Sequence, residues 1–270
     1  PAFREDGIAV VTSEHDGVYR SEDRGRSWKK ANTGLATLKV QSVCFSPGFI
    51  EDHALVLLDG DGRLFISRDS ARTWKPFFHD ISEKITRVVW LDDGLENRLS
   101  FGTDDGSVMV VNDSGTVWGK IDGSDKCGPI TAMAASPRFK KDGKIWIGSE
   151  SCGVSEVDIN SRTIKSLENP LENEHVTSLL AAKGPSGESV LYVTTWHQAL
   201  FVLSVSDGSF FQKETGLSTD PQADDPHYRL PHFKGIADAD GLLFLGGFDG
   251  LFVSANDADT WEQIDTIMLN

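Results

Sequence analysis

Carboxylates recur in short turns that follow apolar runs along the chain. Five of them are Asp16, Asp61, Asp105, Glu150 and Asp249. Two carboxylates held roughly 5–9 Å apart can hydrolyse a glycosidic bond, one as the acid and the other as the nucleophile or base. Asp-Gly is also simply a favourable turn sequence, and nothing singles out one pair. These residues are therefore candidates for binding a ligand or partner, and no catalytic residue is assigned.

Aromatic and imidazole side chains gather in the last third of the chain. Trp196 and His197 follow an apolar run, and an extended connection, residues 216–232, comes soon after them. That connection carries the candidates His227, Tyr228, Arg229 and His232. An exposed Trp beside a polar loop can stack on a sugar ring or anchor a peptide, since function concentrates on such loops. The alternative is an ordinary surface loop. His197, His227 and His232 fit no metal-ligand spacing, so we expect neither a metal nor another cofactor.

The charge of the chain limits its partners. Its 270 residues include 26 Lys and Arg against 41 Asp and Glu, a net charge of −15. This argues against non-specific nucleic-acid binding, which needs a basic surface. No apolar run approaches the ~18 residues of a membrane helix, so no membrane insertion is expected. A basic protein or peptide partner is favoured.

A repeat supplies the elements that position these residues. Six short apolar segments align at spacings of 45, 44, 47, 46 and 51 residues, which is the length of a propeller blade. They begin at Gly17, Gly62, Gly106, Gly153, Ala199 and Gly250. The second copy shows four predicted strands, at residues 40–45, 54–58, 63–67 and 74–77. The first of these is apolar enough to be buried on both faces.

The repeats predict an all-β fold, a six-bladed β-propeller of four-stranded antiparallel blades. We expect one domain over residues 1–270, with repeats at about 1–38, 39–83, 84–128, 129–174, 175–231 and 232–270.

A second repeated pattern is counted back from a tryptophan, with Ser at −7, Asp at −5, Gly at −3 and Ser or Thr at −1. Ser21, Asp23, Gly25 and Ser27 before Trp28 fit every position. The copies before Trp74, Trp118 and Trp261 fit with substitutions, and they include Asp69 and Asp113. These residues resemble the Asp-box, or BNR, repeat of sialidase-like and sortilin-like β-propellers, over the whole chain.

The resemblance implies structural roles for these residues. The Asp accepts hydrogen bonds from turn amides, the Gly takes a positive φ, and the Trp fills the gap between blades. Asp23, Asp69 and Asp113 are therefore expected to be structural rather than catalytic, with Trp28, Trp74, Trp118 and Trp261 as the gap-filling residues.

A third pattern bears on how the propeller closes. Ser46-Pro47-x-Phe49-x-x-Asp52 recurs as Ser136-Pro137-x-Phe139-x-x-Asp142, and Pro1 to Asp6 matches its second half. Residues 264–270 read into Pro1 align with residues 40–46 read into Pro47. We therefore expect the C-terminal segment to supply the innermost strand of the first blade.

Loops of a four-stranded blade alternate between two faces. The Asp-boxes and the Ser-Pro turns share one face, and the acidic turns share the other, where the resemblance places ligands. Basic residues precede several first strands on that second face: Lys39, Lys84, His175 and His232. Cys127 and Cys152 also fall there, close enough for a disulfide, which would indicate an extracytoplasmic or secreted protein. Two free thiols are the alternative. Cys44 is expected to be a small buried apolar residue.

Sialidase activity is not expected. The family's enzymes need an arginine triad, a Tyr–Glu pair and a Phe-Arg-Ile-Pro-like motif, whereas here Phe3-Arg4 precedes Glu5 and the acidic turns gather no arginines. Propellers of this kind without the enzyme motifs resemble receptor domains and photosystem assembly factors. We expect a non-catalytic scaffold that binds a protein or peptide on its acidic face. The alternative is a glycan-binding protein or a glycoside hydrolase other than a sialidase, centred on Trp196.

Overall fold

A computed structural model describes residues 3–77, 82–92, 97–112, 117–123, 127–167, 171–184, 187–196, 200–217, 232–239, 241–247 and 250–264. The chain divides into two compact units, Pro1–Asp122 and Gly123–Asn270. Each unit carries three antiparallel sheets whose strands pair in chain order. The fold is the six-bladed β-propeller that the repeats predict. Within the described ranges, no helix has the length and apolar character needed to cross a membrane.

The first unit contains sheets 1 to 3. Sheet 1 consists of β1 (Ala9–Ser13), β2 (Gly17–Ser21) and β3 (Lys29–Lys30). Sheet 2 consists of β4 (Val40–Phe45), β5 (Leu55–Asp59), β6 (Leu64–Ser67) and β7 (Lys75–Pro76). Sheet 3 consists of β8 (Ile85–Asp92), β9 (Asn97–Thr103), β10 (Val108–Val111) and β11 (Val117–Ile121).

The second unit contains sheets 4 to 6. Sheet 4 consists of β12 (Ile130–Ala135), β13 (Lys144–Ser149), β14 (Val154–Asp158) and β15 (Thr163–Ser166). Sheet 5 consists of β16 (Val176–Lys183), β17 (Ser189–Thr195), β18 (Leu200–Ser204) and β19 (Phe210–Gln212). Sheet 6 consists of β20 (Phe233–Ala239), β21 (Leu242–Gly247), β22 (Gly250–Ser254) and β23 (Glu262–Ile264).

Sheet 1 has three strands in the described part of the chain, and β1 is its first. The strand expected to complete it, from the C-terminal segment, falls mostly on residues 265–270, which lie outside the described residues. The closing strand therefore stays a prediction.

The second strand of sheet 2 shows how neighbouring sheets share a core. All five residues of β5 are buried. Leu55 and Leu57 belong to the core between sheets 1 and 2, whereas Val56 and Leu58 belong to the core between sheets 2 and 3. Alternate side chains point to opposite faces of a strand, so one apolar run serves two interfaces.

The first strand of sheet 2, β4, is less buried than its apolar sequence predicts. Gln41 and Phe45 of β4 are exposed, because β4 is the edge strand of its sheet. Cys44 is half-buried against the core between sheets 2 and 3, and burial raises the pKa of its thiol to about 11.

The Ser-Pro segments form single helical turns rather than simple turns. They are α1 (Phe3–Asp6), α2 (Phe49–Asp52) and α3 (Phe139–Asp142). In α2, the Ser46 hydroxyl donates to Asp52 at 2.6 Å, and Asp52 accepts the amide of Ala54 at 2.8 Å. The same two bonds recur around α3, so the repeated Ser and Asp close the helical turn.

Candidate functional site

Trp196 lies directly after β17, in the turn that leads to β18. Its backbone amide donates to the carbonyl of His175 at 2.9 Å, which extends the pairing of β16 and β17 by one residue. The side chain is 37% exposed, which is high for a tryptophan beside a sheet whose second strand is otherwise largely buried. A rigid backbone therefore presents a large aromatic surface to solvent.

Three side chains from two other segments surround this indole. The ring centroids of Trp196 and His175 are 6.1 Å apart and nearly parallel, at 28°. The His232 ring is 5.6 Å away and tilted by 60°. The ammonium of Lys234 lies 5.9 Å from the indole centroid, in cation–π range. We call these four residues the Trp196 cluster.

Lys234 reaches the indole from a β-bulge. All five described first strands of sheets 2 to 6 have a register irregularity at their second residue. Four of the bulged residues are neutral: Gln41, Thr86, Thr131 and Thr177. The fifth is Lys234. A bulge re-aims a side chain, and here it directs a cation at Trp196.

Sequence reasoning selected Trp196 and His232 and noted His175, but it missed Lys234. Alignment of the five bulge positions supplies the signal, because a charged residue stands where the other copies carry Gln or Thr. His197, His227, Tyr228, Arg229 and Asp249 lie outside the described residues.

Gly247 allows the backbone of His232 to approach β21 closely. The first pairs of β20 and β21 place Phe233 opposite Gly247. A Cβ on Gly247 would come within 2.0 Å of the His232 carbonyl oxygen. Only glycine allows that close backbone approach, so Gly247 positions one wall of the Trp196 cluster.

The carboxylates in the acidic turns of the first unit pair with neighbouring side chains. Asp16, in the β1–β2 turn, pairs with Lys30 at 3.2 Å. Asp61, in the β5–β6 turn, pairs with Arg63 at 2.7 Å. Asp59 beside it is fully buried, pairs with Arg63 Nε at 2.8 Å and accepts the Asp61 and Arg63 amides.

Asp105 is unsuited to act as a general acid. Partial burial opposes its ionisation, but hydrogen bonds from Thr103 and Ser107 outweigh burial and lower its pKa. The Thr103 hydroxyl and the Ser107 amide both donate to Asp105 Oδ1, at 2.5 and 3.0 Å. A general acid must hold its proton near neutral pH, so this turn is built for a structural carboxylate.

Glu150 lies in a turn held by a disulfide. Cys127 and Cys152 are bonded, with Cα atoms 5.0 Å apart, and join the segment before β12 to the β13–β14 turn. The Ser151 hydroxyl donates to the Cys127 carbonyl at 3.2 Å, and the Glu150 amide donates to the Pro129 carbonyl. Glu150 itself is exposed on this rigid turn.

The serine–aspartate turns between the last two strands of a sheet hold the hydrogen bonds expected of them. Asp23 accepts bonds from the Ser21 hydroxyl and from the amide and hydroxyl of Ser27, at 2.6 to 2.8 Å. Asp69 is bonded in the same way by Ser67 and Thr73. In sheet 6, Asn256 takes the place of the aspartate and bonds Ser254 and Thr260. Asp113 lies outside the described residues.

The tryptophans of these turns differ. Trp74 and Trp261 are buried, and the Trp74 indole donates to the Ala31 carbonyl of the preceding repeat. Trp28 does not fill a gap as expected, since it is 40% exposed. Its indole N–H bonds the Gly25 carbonyl in its own turn, which keeps the ring beside that turn. The Trp118 side chain lies outside the described residues.

No group of three or more His, Cys, Asp or Glu residues in the described ranges is placed to hold a metal ion. The Trp196 cluster brings together an aromatic face, two imidazoles and an ammonium.

Solved structures with similar folds include binding proteins and enzymes. YCF48 bound to D1 peptide matches with a TM-score of 0.64 at 14% identity, covering 95% of this chain and 76% of that chain. The GH74 xyloglucanase from Xanthomonas campestris matches with a TM-score of 0.71 at 16% identity, covering 97% and 44%. The computationally designed Ika8 protein matches with a TM-score of 0.61 at 17% identity, covering 95% and 70%.

These identities show the fold alone. The chain spans less than half of the xyloglucanase. No family model matches the sequence, and no curated protein matches it.

Proposed function

We propose that this chain is a non-catalytic recognition propeller that binds a protein or peptide partner, with the Trp196 cluster at the centre of the contact. The exposed Trp196 side chain, held between His175, His232 and Lys234, carries the proposal. Tryptophan is enriched among the residues that dominate interface energies. Because its neighbours already fix the ring, little side-chain entropy is lost on binding.

The cluster sets the chemistry of the group it contacts. Lys234 places a positive charge beside the apolar face of the indole, and the rings of His175 and His232 lie against that indole. The complementary ligand group combines an apolar or aromatic body with a carboxylate, as at an acidic position of a peptide beside an aromatic one. The peptide-bound YCF48 structure supports peptide recognition by this fold.

The charge of the whole chain acts over a longer range than the cluster does. With a net charge of −15, the chain attracts partners with net positive charge and speeds their encounter. The proposed partner is therefore basic overall and places an acidic or aromatic group at Trp196. The Cys127–Cys152 disulfide favours an extracytoplasmic location for this encounter.

Glycan binding is the second candidate, and the exposed face of Trp196 is the observation that favours it, since indoles stack on sugar rings. The GH74 structures extend the support to propellers that act on glycans. Hydrolysis is not proposed, because the described acidic turns of the first unit have their carboxylates engaged by neighbouring donors.

The deciding experiment is a parallel screen of the purified protein against a displayed peptide library and a glycan array. Trp196→Ala is screened beside it, with Phe211→Ala as the matched control, since Phe211 is an even more exposed aromatic residue of the same sheet. We expect peptides to be selected by wild type and Phe211→Ala and lost with Trp196→Ala. Glycans selected in that pattern would replace the peptide proposal. Ligands retained equally by all three proteins would overturn any role for the cluster.

A further inference from the structure

The first unit holds a concave site separate from the Trp196 cluster. A cavity of about 460 Å³ opens between the β2–β3 hairpin of sheet 1 and the serine–aspartate turn of sheet 2. Four cationic and two acidic side chains line it: Arg20, Lys29, Lys30, Arg72, Glu22 and Asp23. The excess of cations stands out in a chain whose net charge is −15.

Arg20 forms the floor of this cavity and is incompletely paired. Its side chain is only 8% exposed. Its Nε donates to the Ser70 carbonyl, and its Nη1 pairs with Glu22. Its Nη2 is buried without a hydrogen-bond partner among the described residues. A buried, unsatisfied guanidinium N–H is costly, so the site is complete only when an acceptor reaches that nitrogen.

Glu22 partly occupies the position that such an acceptor would take. One oxygen, Oε1, accepts from both Arg20 Nη1 and Arg72 Nη2, the latter at 2.7 Å. A single shared oxygen cannot satisfy both nitrogens of the Arg20 fork. Glu22 is 53% exposed, so its carboxylate can turn outward into water. Its ion pair with Arg72 is exposed on both sides and contributes little to stability.

The other acidic side chain of the lining, Asp23, leaves the cavity available. Both Asp23 oxygens accept bonds from Ser21 and Ser27, which hold the carboxylate in its own turn. These bonds, led by the Ser27 hydroxyl, lower the pKa of Asp23 to about 2. Lys30 pairs with Asp16 outside the cavity lining, whereas Lys29 is an exposed ammonium at its edge.

We propose that this cavity binds a tetrahedral oxyanion, the phosphate or sulfate group of an ester. The oxyanion displaces the Glu22 carboxylate, accepts from both Nη atoms of Arg20, and bridges to Arg72. A tetrahedral oxyanion carries several acceptor oxygens on one centre, so it can accept from Arg20 Nη2 as well as from Nη1 and Arg72. The single Glu22 oxygen reaches Nη1 and Arg72 and leaves Nη2 unpaired. The cavity volume leaves room for the sugar or other group that carries the ester.

The test is a titration with inorganic phosphate, inorganic sulfate, glucose 6-phosphate and glucose 6-sulfate, at ionic strength held constant with sodium chloride. Binding is followed by the NMR shifts of the Glu22 and Arg72 backbone amides. We expect saturable shifts, and the more tightly bound ester identifies the source of the oxyanion. Shifts that do not saturate, or that chloride alone reproduces, would overturn the proposal.

Variants at exposed side chains keep the test independent of folding defects at Arg20. Arg72→Ala is expected to weaken binding about tenfold or more, the loss of one charge-assisted bond. Arg26→Ala is the matched control, since Arg26 is exposed in the same turn as Asp23 but does not line the cavity. Its affinity for the oxyanion is expected to stay within about twofold of wild type. Equal losses in the two arginine variants would reduce the effect to general charge attraction and contradict the site.

Glu22→Gln tests the displacement step in the opposite direction. Removing the competing carboxylate is expected to tighten oxyanion binding. The gain should exceed that of the control Glu51→Gln, which removes one negative charge at an exposed position of α2. If the two Gln variants behave alike, or if Glu22→Gln weakens binding, Glu22 does not occupy the oxyanion position.

Discussion

Two neighbouring carboxylates in the β5–β6 turn differ sharply in their surroundings. Asp59 is fully buried and accepts three hydrogen bonds, whereas Asp61 is exposed. We expect Asp59→Ala to lower the free energy of unfolding by about 2 kcal/mol, because three N–H donors lose a buried, charged acceptor. Asp61→Ala, the control, should change it by less than about 0.5 kcal/mol. Urea unfolding measures both, and equal effects would contradict this difference.

The lowered pKa of Asp23 predicts that the stability of the fold depends on pH. Hydrogen bonds from Ser27 and Ser21 lower its pKa from 3.8 to about 2. A carboxyl group with a lowered pKa in the folded state contributes stability above its unfolded pKa, and that contribution is lost as the pH falls towards 2. We expect Asp23→Asn to flatten the fall in stability between pH 4 and 2, measured by urea unfolding at each pH. An unchanged pH profile would mean that the turn does not favour the ionised form.

The residue at the β-bulge separates the sixth repeat from the second to fifth repeats. Thr86, Thr131 and Thr177 occupy the position at which Lys234 points to Trp196. Lys234→Thr should therefore fold as the wild type does, with the same melting temperature within a few degrees, and should weaken binding at the cluster. Thermal unfolding and a titration with a ligand selected by the wild type measure the two effects. Unchanged binding would remove Lys234 from the site.

The disulfide ties a segment before β12 to the β13–β14 turn across a separation of 25 residues. Restricting the unfolded chain over a loop of this length stabilises the fold by about 3 kcal/mol in the chain-entropy model. Cys127→Ser with Cys152→Ser should lower the free energy of unfolding by roughly that amount. Reductant should destabilise the wild type and leave the double variant unchanged, and a wild type indifferent to reductant would show that the bond contributes nothing.

At the scale of the molecule, the repeat length and the apolar runs were sufficient to predict six sheets and their strand order. The first strand of sheet 2, Val40–Phe45, begins and ends where the sequence places it. A strand buried between two sheets, such as β5, reads as a continuous apolar run, because each residue is constrained by one core or the other. The resemblance also implied that the aspartates accept turn amides, and Asp23 and Asp69 accept those of Ser27 and Thr73.

Other features depend on contacts that no single repeat encodes. Trp28 is exposed because its indole N–H bonds the carbonyl of Gly25 in its own turn and not a carbonyl of another repeat. The approach of Lys234 to Trp196 joins two sheets through a bulge, and bulges leave little trace in hydrophobic periodicity. The incomplete pairing of Arg20 depends on where one Glu22 oxygen lies. Such details require side-chain geometry across repeats.

The most direct test of the central claim is calorimetric titration of the tightest ligand from the screen into wild type, Trp196→Ala and Phe211→Ala. We predict that Trp196→Ala loses at least about tenfold in affinity, as expected for the central aromatic residue of an interface. Phe211→Ala should bind within about twofold of wild type. Affinity retained by Trp196→Ala, or lost equally in both variants, would contradict recognition at the Trp196 cluster.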